Sequence, residues 1–422
     1  MIESINSMPL ADEIKQFVTS AGLYLKGAEP NIIPQGGLTL DGDTLRLAQQ
    51  WLDRSADTYF DRKTVSQYEE EMADYLRQED VISFSSGRAS LLAILQALEL
   101  PSESQVLLPG YTCIAVANSV WFAGLSPVFY DIDLDDYGPD LPDIRKKFEQ
   151  NQNIRVIILQ HTYGIIGGQF LNVLNWAREH GITIIEDSAH TLDSTIEGRR
   201  AGSFADAAFF STERSKCLST FQGGFAVAKE DGLRNKLREL QAKAPQLPVD
   251  NVRSLIRQFI FTYKTERDPG RWYKRPWALI KNNNAYIPGV SKDELQRKMP
   301  VGYLSQLAAP LADIGRSQIK NLEKARKIRK QTALEWKEWA QNKGFRTPQI
   351  PNNSDPSFLS YPILVPPEKK QDLSWADYLR AEITRWYKTH LHPSDHKVLD
   401  CPNADIAVSR CINLPTNLAV VL

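Results

Sequence analysis

The stretch Ile182-Thr183-Ile184-Ile185-Glu186-Asp187-Ser188-Ala189-His190 decides how the rest of the chain is read. Four β-branched residues in a row suit a short strand buried on both faces. Two acids and a histidine follow at once. A strand of this kind belongs in a parallel sheet under helices, and such sheets hold ligands beyond the carboxyl ends of their strands. An acid at that end has two readings. It can cap the next segment. It can also be an anion fixed beside a cationic ring nitrogen, which it keeps protonated.

The same alternation recurs on both sides. Val81-Ile82-Ser83-Phe84, Val106-Leu107-Leu108, Pro127-Val128-Phe129-Tyr130 and Arg155-Val156-Ile157-Ile158-Leu159 precede it. Ala207-Ala208-Phe209-Phe210 and Gly224-Phe225-Ala226-Val227-Ala228 follow. Apolar helical segments are predicted through Leu100, near 113–123 and over 169–180. The pattern predicts an α/β fold built on a large, mostly parallel sheet covered on both faces.

Polar clusters stand at the strand ends. Ser85-Ser86-Gly87-Arg88 opens an apolar helix. Free amides and the positive dipole end suit a phosphate there, and Arg88 can add a charged bond. The plain alternative is an ordinary helix cap. Lys216 lies in a polar turn between two apolar strands. Most lysines are solvated surface residues. One enclosed between buried strands is more readily deprotonated and can form a Schiff base. A phosphate cup, an acid and an enclosed lysine are the parts that pyridoxal 5′-phosphate requires.

In order and spacing, residues 68–230 resemble the sugar aminotransferases of the DegT/DnrJ/EryC1/StrS family, which are fold-type I pyridoxal-phosphate enzymes. The resemblance rests on Ser86-Gly87-Arg88-Ala89, Pro109-Gly110-Tyr111-Thr112, Asp131-Ile132-Asp133, His161-Thr162-Tyr163-Gly164 and Glu186-Asp187-Ser188-Ala189-His190. Gly198 to Phe204 and Phe210 to Gly224 continue it. Trp386-Tyr387, His392-Pro393 and Asn413-Leu414-Pro415-Thr416 resemble the family's smaller α+β C-terminal domain.

The resemblance implies a role for each residue. Lys216 forms the Schiff base and shuttles the proton. Asp187 pairs with the pyridine nitrogen, and His190 lies beside the ring. Ser211 and the amides of Gly87 and Arg88 bind the phosphate. Cys113 stands where the family commonly stacks an aromatic, with Tyr111 nearby. The implied cofactor is pyridoxal 5′-phosphate, the donor an amino acid (glutamate in the family), and the acceptor a nucleotide-linked keto sugar. The implied assembly is a homodimer. Two alternatives stand beside this reading: a non-nucleotide ketone such as a keto-cyclitol, or pyridoxal-phosphate-dependent sugar dehydration. In the dehydratases the lysine is replaced, as a rule by His, so Lys216 favours amino transfer.

Composition sets the outer bounds. The 422 residues carry 50 Lys and Arg against 51 Asp and Glu, a net charge of −1. That balance argues against a nucleic-acid binder. Four cysteines without a CxxC pair argue against a disulfide scaffold or zinc ribbon and for a reducing compartment. His390, His392 and His396 lack a companion Cys or carboxylate motif, so no metal is expected. The opening residues lack a signal pattern, and Leu91–Leu95 is too short to span a bilayer. The expectation is a cytoplasmic protein without a membrane span. Four segments are expected: an N-terminal arm (1–65), a large cofactor domain (66–240), a basic, aromatic-rich insertion (241–318), and an interdomain helix with a small domain (319–422). Between Arg253 and Lys281 the insertion holds eight basic and two acidic residues. It reads as a loop whose aromatics pack on the body, or as cations that grip a diphosphate. The run Lys320, Lys324, Arg326, Lys327, Arg329 and Lys330 reads as the solvated face of the interdomain helix.

Overall fold

A computed structural model describes residues 39–267, 287–379 and 381–417 of the chain. Its centre is a seven-stranded sheet: β1 (Ile82–Phe84), β2 (Gln105–Pro109), β3 (Ser126–Tyr130), β4 (Ile154–Gln160), β5 (Thr183–Asp187), β6 (Ala207–Ser211) and β7 (Gly224–Ala228). The strands lie in the order β1-β7-β6-β5-β4-β2-β3. The pairings β3-β2-β4-β5-β6 are parallel. Only β7 runs against its neighbours, antiparallel to both β6 and β1. Each of the seven strands falls where the sequence places it, to within two residues.

The helices explain themselves from their faces. In α3 (Gly87–Ala97) every residue but Arg88 and Gln96 is buried. A helix apolar nearly all round belongs in the interior, and α3 packs against β6 and β7. Ser86 caps it by accepting the Ala89 amide at 3.2 Å.

Four stretches differ from expectation. Within the expected arm, α1 (Gly42–Leu52) is capped by Asp41, and α2 (Arg62–Leu76), capped by Asp61, begins four residues before the expected boundary at 66. Residues 1–38 lie outside the described ones. The insertion opens not irregularly but as α4 (Val249–Arg267), which buries Val252, Leu255, Ile256 and Phe259. The period was masked by Arg253 and Arg257 among the apolar positions. Phe259 sets its ring against Phe221, with centroids 5.7 Å apart. Trp272, Tyr273 and Trp277 lie outside the described residues.

The helix α5 (Leu322–Asn342), expected as the interdomain helix, buries Leu322, Ala325, Ala333, Trp336 and Ala340, while Ile328 is half-buried. Its basic run is not uniformly solvated. Arg329 is buried, donating from Nε to the Ser357 carbonyl at 3.0 Å and meeting Asp193 at 3.5 Å. Arg326 and Lys330 both pair with Asp355. Beyond α5, β8 (Ser360–Leu364) and β9 (Cys411–Pro415) form an antiparallel ribbon against α5. A helix is expected near residues 374–381; over Ser374–Leu379 the chain forms a 3₁₀ turn instead.

Candidate active site

The carboxyl ends of β4, β5 and β6, with the start of α3, bring the predicted residues together. Along β5, alternate side chains face opposite sides of the sheet, so Glu186 and Asp187 part company. Glu186 is wholly enclosed. It accepts the amides of Gly202 (2.7 Å), Phe204 (2.7 Å) and Ala205 (3.0 Å) and pairs with His161 Nε2 at 2.9 Å. That is a structural cage.

Asp187, on the other face, accepts only the Ala189 amide, at 3.0 Å, among the described residues. Burial pushes its carboxyl up to about 6, against the pull of the Ala189 amide and the charge of Lys216. A buried carboxylate with so few donors suits a cationic partner.

His190 is buried beside it. Its Nδ1 accepts the Tyr163 amide at 3.1 Å, which leaves the proton on Nε2, 3.4 Å from the Tyr387 hydroxyl. Burial and the nearby Lys216 hold the imidazole neutral, well below its ordinary range. Lys216 follows β6 in the turn toward β7, its amide bonded to the Glu213 carbonyl at 2.9 Å. Burial lowers its amine, opposed by the charges of Glu213, Cys113, Asp187 and Cys217.

The phosphate-cup candidate is a three-way backbone contact. A Cβ on Gly87 would stand 2.9 Å from Ser211 Cβ and 3.0 Å from the Phe210 carbonyl. One on Gly224 would stand 2.3 Å from the Gly87 nitrogen. Only glycines let α3 begin this close to β6 and β7. Among the described residues nothing takes the amides of Gly87 and Arg88, as expected for a helix's first turn. Ser211 Oγ already accepts the Glu213 amide, at 3.3 Å.

Two expected side chains go elsewhere. The Arg88 guanidinium turns from the cup to Glu294, at 2.8 Å, and to the Gly289 carbonyl. Of Arg88, only the amide is left for the candidate cup. Tyr111 is fully buried, its hydroxyl 2.8 Å from that of Tyr163 and donating to the Trp386 carbonyl at 3.1 Å. It has no free face for a ligand. Cys113 is half-buried and precedes the helix Ile114–Phe122.

Sequence reasoning missed the clip formed by Glu294, since no local pattern links it to Arg88. It also gave no role to Trp386, whose ring lies 6.2 Å from His190 and within 19° of parallel. Among the described residues no helix is long and apolar enough to cross a membrane.

Comparison with known proteins gives the same picture. The profile described as the DegT/DnrJ/EryC1/StrS aminotransferase family matches residues 42–261. The chain is 33% identical over 175 residues to the dTDP-4-dehydro-2,3,6-trideoxy-D-glucose 4-aminotransferase of Saccharopolyspora spinosa, covering 41% of this chain and 45% of that one. It is 26% identical over 214 residues to the GDP-perosamine synthase of Vibrio cholerae, covering 50% and 56%. The matches thus span about half the length of these relatives. The fold is shared with S. venezuelae DesV at a TM-score of 0.68 and 20% identity, over 91% of this chain and 93% of that one.

Proposed function

Because the chain belongs to the DegT/DnrJ/EryC1/StrS aminotransferase family, we propose that it moves an amino group from an amino acid, glutamate in this reading, to a nucleotide-linked keto sugar. The observation that carries the proposal is the half-buried Lys216, whose amine is grouped with Asp187 and His190 beside a glycine-lined cup. The aminotransferase relatives that act on dTDP- and GDP-linked sugars support the acceptor class.

The residues fit pyridoxal 5′-phosphate. The close approach of Gly87, Ser211 and Gly224 leaves a cradle that a Cβ would fill. The free Gly87 and Arg88 amides and Ser211 Oγ would hold the phosphate. Asp187, short of donors, would hold a protonated ring nitrogen, and the neutral His190 would lie beside the ring. When bound, the cofactor supplies an electron sink that makes the α-proton of an amino acid removable. Lys216 Nζ would take that proton and return it. A well-placed amine in this role contributes about 10²–10⁴-fold. The lowered Lys216 amine suits it, because a free base is available nearer neutral pH.

A homodimer is part of this reading. Leu295, Met299 and Val301 expose apolar surface beside the Arg88–Glu294 clip and support it. So is a reducing, cytoplasmic setting, supported by four free cysteines.

The test is Lys216→Ala. The variant is expected to lose the visible absorbance of the covalently held cofactor and all turnover; retention of both overturns the proposal. Offering purified enzyme nucleotide-linked keto sugars and keto-cyclitols side by side, and measuring amine product, fixes the acceptor class.

A further inference from the structure

Lys216 forms no ion pair among the described residues, although its neighbourhood is charged. The groups facing it are Glu213 from its own turn, Asp187 from the end of β5, Cys113 from the start of the Ile114–Phe122 helix, and Cys217 beside it. His190 is neutral. The amine's nearest described aromatic contact is Trp386, with Nζ 5.8 Å from the centre of the ring. That lies within the reach of a cation–π interaction, which favours an ammonium without bringing a second titrating group.

The position of Trp386 is fixed from several sides. Its amide donates to Asn413 Oδ1 at 2.7 Å. Its carbonyl accepts the hydroxyls of Tyr111 (3.1 Å) and Tyr163 (2.5 Å). The next amide, that of Tyr387, donates to the Tyr111 hydroxyl at 2.9 Å. Residues following β2 and β4, together with β9, therefore hold one backbone segment, while its half-buried indole extends over the lysine and alongside His190.

We propose that Trp386 is a positioning residue for Lys216, its indole face holding the lysine's ammonium in the site, so that the C-terminal part of the chain completes the lysine's environment. The choice of an indole over a carboxylate has a physical consequence. A carboxylate ion pair would raise the amine strongly and tether it. A ring face supports the charge weakly and leaves Nζ free to leave and return.

The inference rests on reading Lys216 as the reactive amine, and its test uses cofactor-free protein, so the two can fail separately. The rate at which cyanate carbamylates Lys216, followed across pH by peptide mass spectrometry, reports the amine's apparent pKa. Trp386→Leu is expected to lower it by about half a unit, raising reactivity roughly threefold below that pKa. Trp386→Phe, which keeps a ring face, should recover most of the shift. An unchanged pKa in the Leu variant, or an equal fall in both, overturns the proposal. A second measurement leaves Trp386 in place. Tryptophan emission of the cofactor-free wild type should change through the pH interval in which Lys216 titrates. Lys216→Met should abolish that change, and identical curves overturn the assignment.

Discussion

At the scale of the residue, Asp187 carries a cost that its proposed role explains. Its folded pKa of about 6 stands above the ordinary 3.8, so the native chain binds this proton more tightly than the unfolded chain. The stability so gained is complete below about pH 4 and is lost as pH rises through 6. At pH 8 the ionised group disfavours the cofactor-free fold by about 3 kcal/mol. Asp187→Asn keeps an acceptor for the Ala189 amide and removes the charge. The cofactor-free variant should therefore be more stable than wild type at pH 8, by up to about 3 kcal/mol, and equal to it near pH 4. Urea midpoints at the two pH values measure this. Cofactor affinity should move the other way, falling in the variant. Asp187 was legible in the sequence because a buried strand ended on it. The separate fate of Glu186 was not, since its cage comes from the amides of Gly202, Phe204 and Ala205, in a turn fifteen or more positions along.

At the scale of the element, the cup depends on how closely α3 begins to β6 and β7. Gly224→Ala places a methyl against the Gly87 nitrogen, where only backbone could yield. Overpacking of this kind costs about 1–3 kcal/mol, occasionally more, and here it would push the α3 amides off the phosphate position. The variant should lose cofactor affinity and melt lower in calorimetry. Gly232→Ala is the matching control. Nothing lies within 4 Å of its added Cβ, and it stands in the first turn of the helix Asp231–Lys243. Its melting temperature should hold or rise slightly. The strands were readable because each is a continuous apolar run between turn residues. The helix α4 was not, because its buried positions are interleaved with arginines. The Arg88–Glu294 clip was beyond reach, since two hundred positions separate its members in the chain.

At the scale of the whole molecule, the buried Arg329–Asp193 pair fastens α5 to the segment that follows β5, with Tyr75 donating its hydroxyl to the same carboxylate at 3.4 Å. Removing one partner leaves a buried charge without its counterpart. Arg329→Ala should therefore destabilise the fold by about 3–5 kcal/mol, while Arg329→Met with Asp193→Asn should recover much of the loss. Denaturant unfolding of the three proteins decides between these outcomes. A run of six basic residues reads as solvent-facing, and only the packing of α5 separates Arg329 from its neighbours. The hydrogen bond between the Trp386 amide and Asn413 has a consequence for the order of manufacture. A chain emerging from the ribosome folds from its N-terminal end, so the sheet and Lys216 can be in place long before β9 exists. Until Asn413 has been translated, the Trp386 carbonyl can meet Tyr111 and Tyr163, but its amide lacks its acceptor. A nascent or prematurely stopped chain would thus display a formed cup with Trp386 fastened on one side alone, and its seat would be completed only when β9 is made.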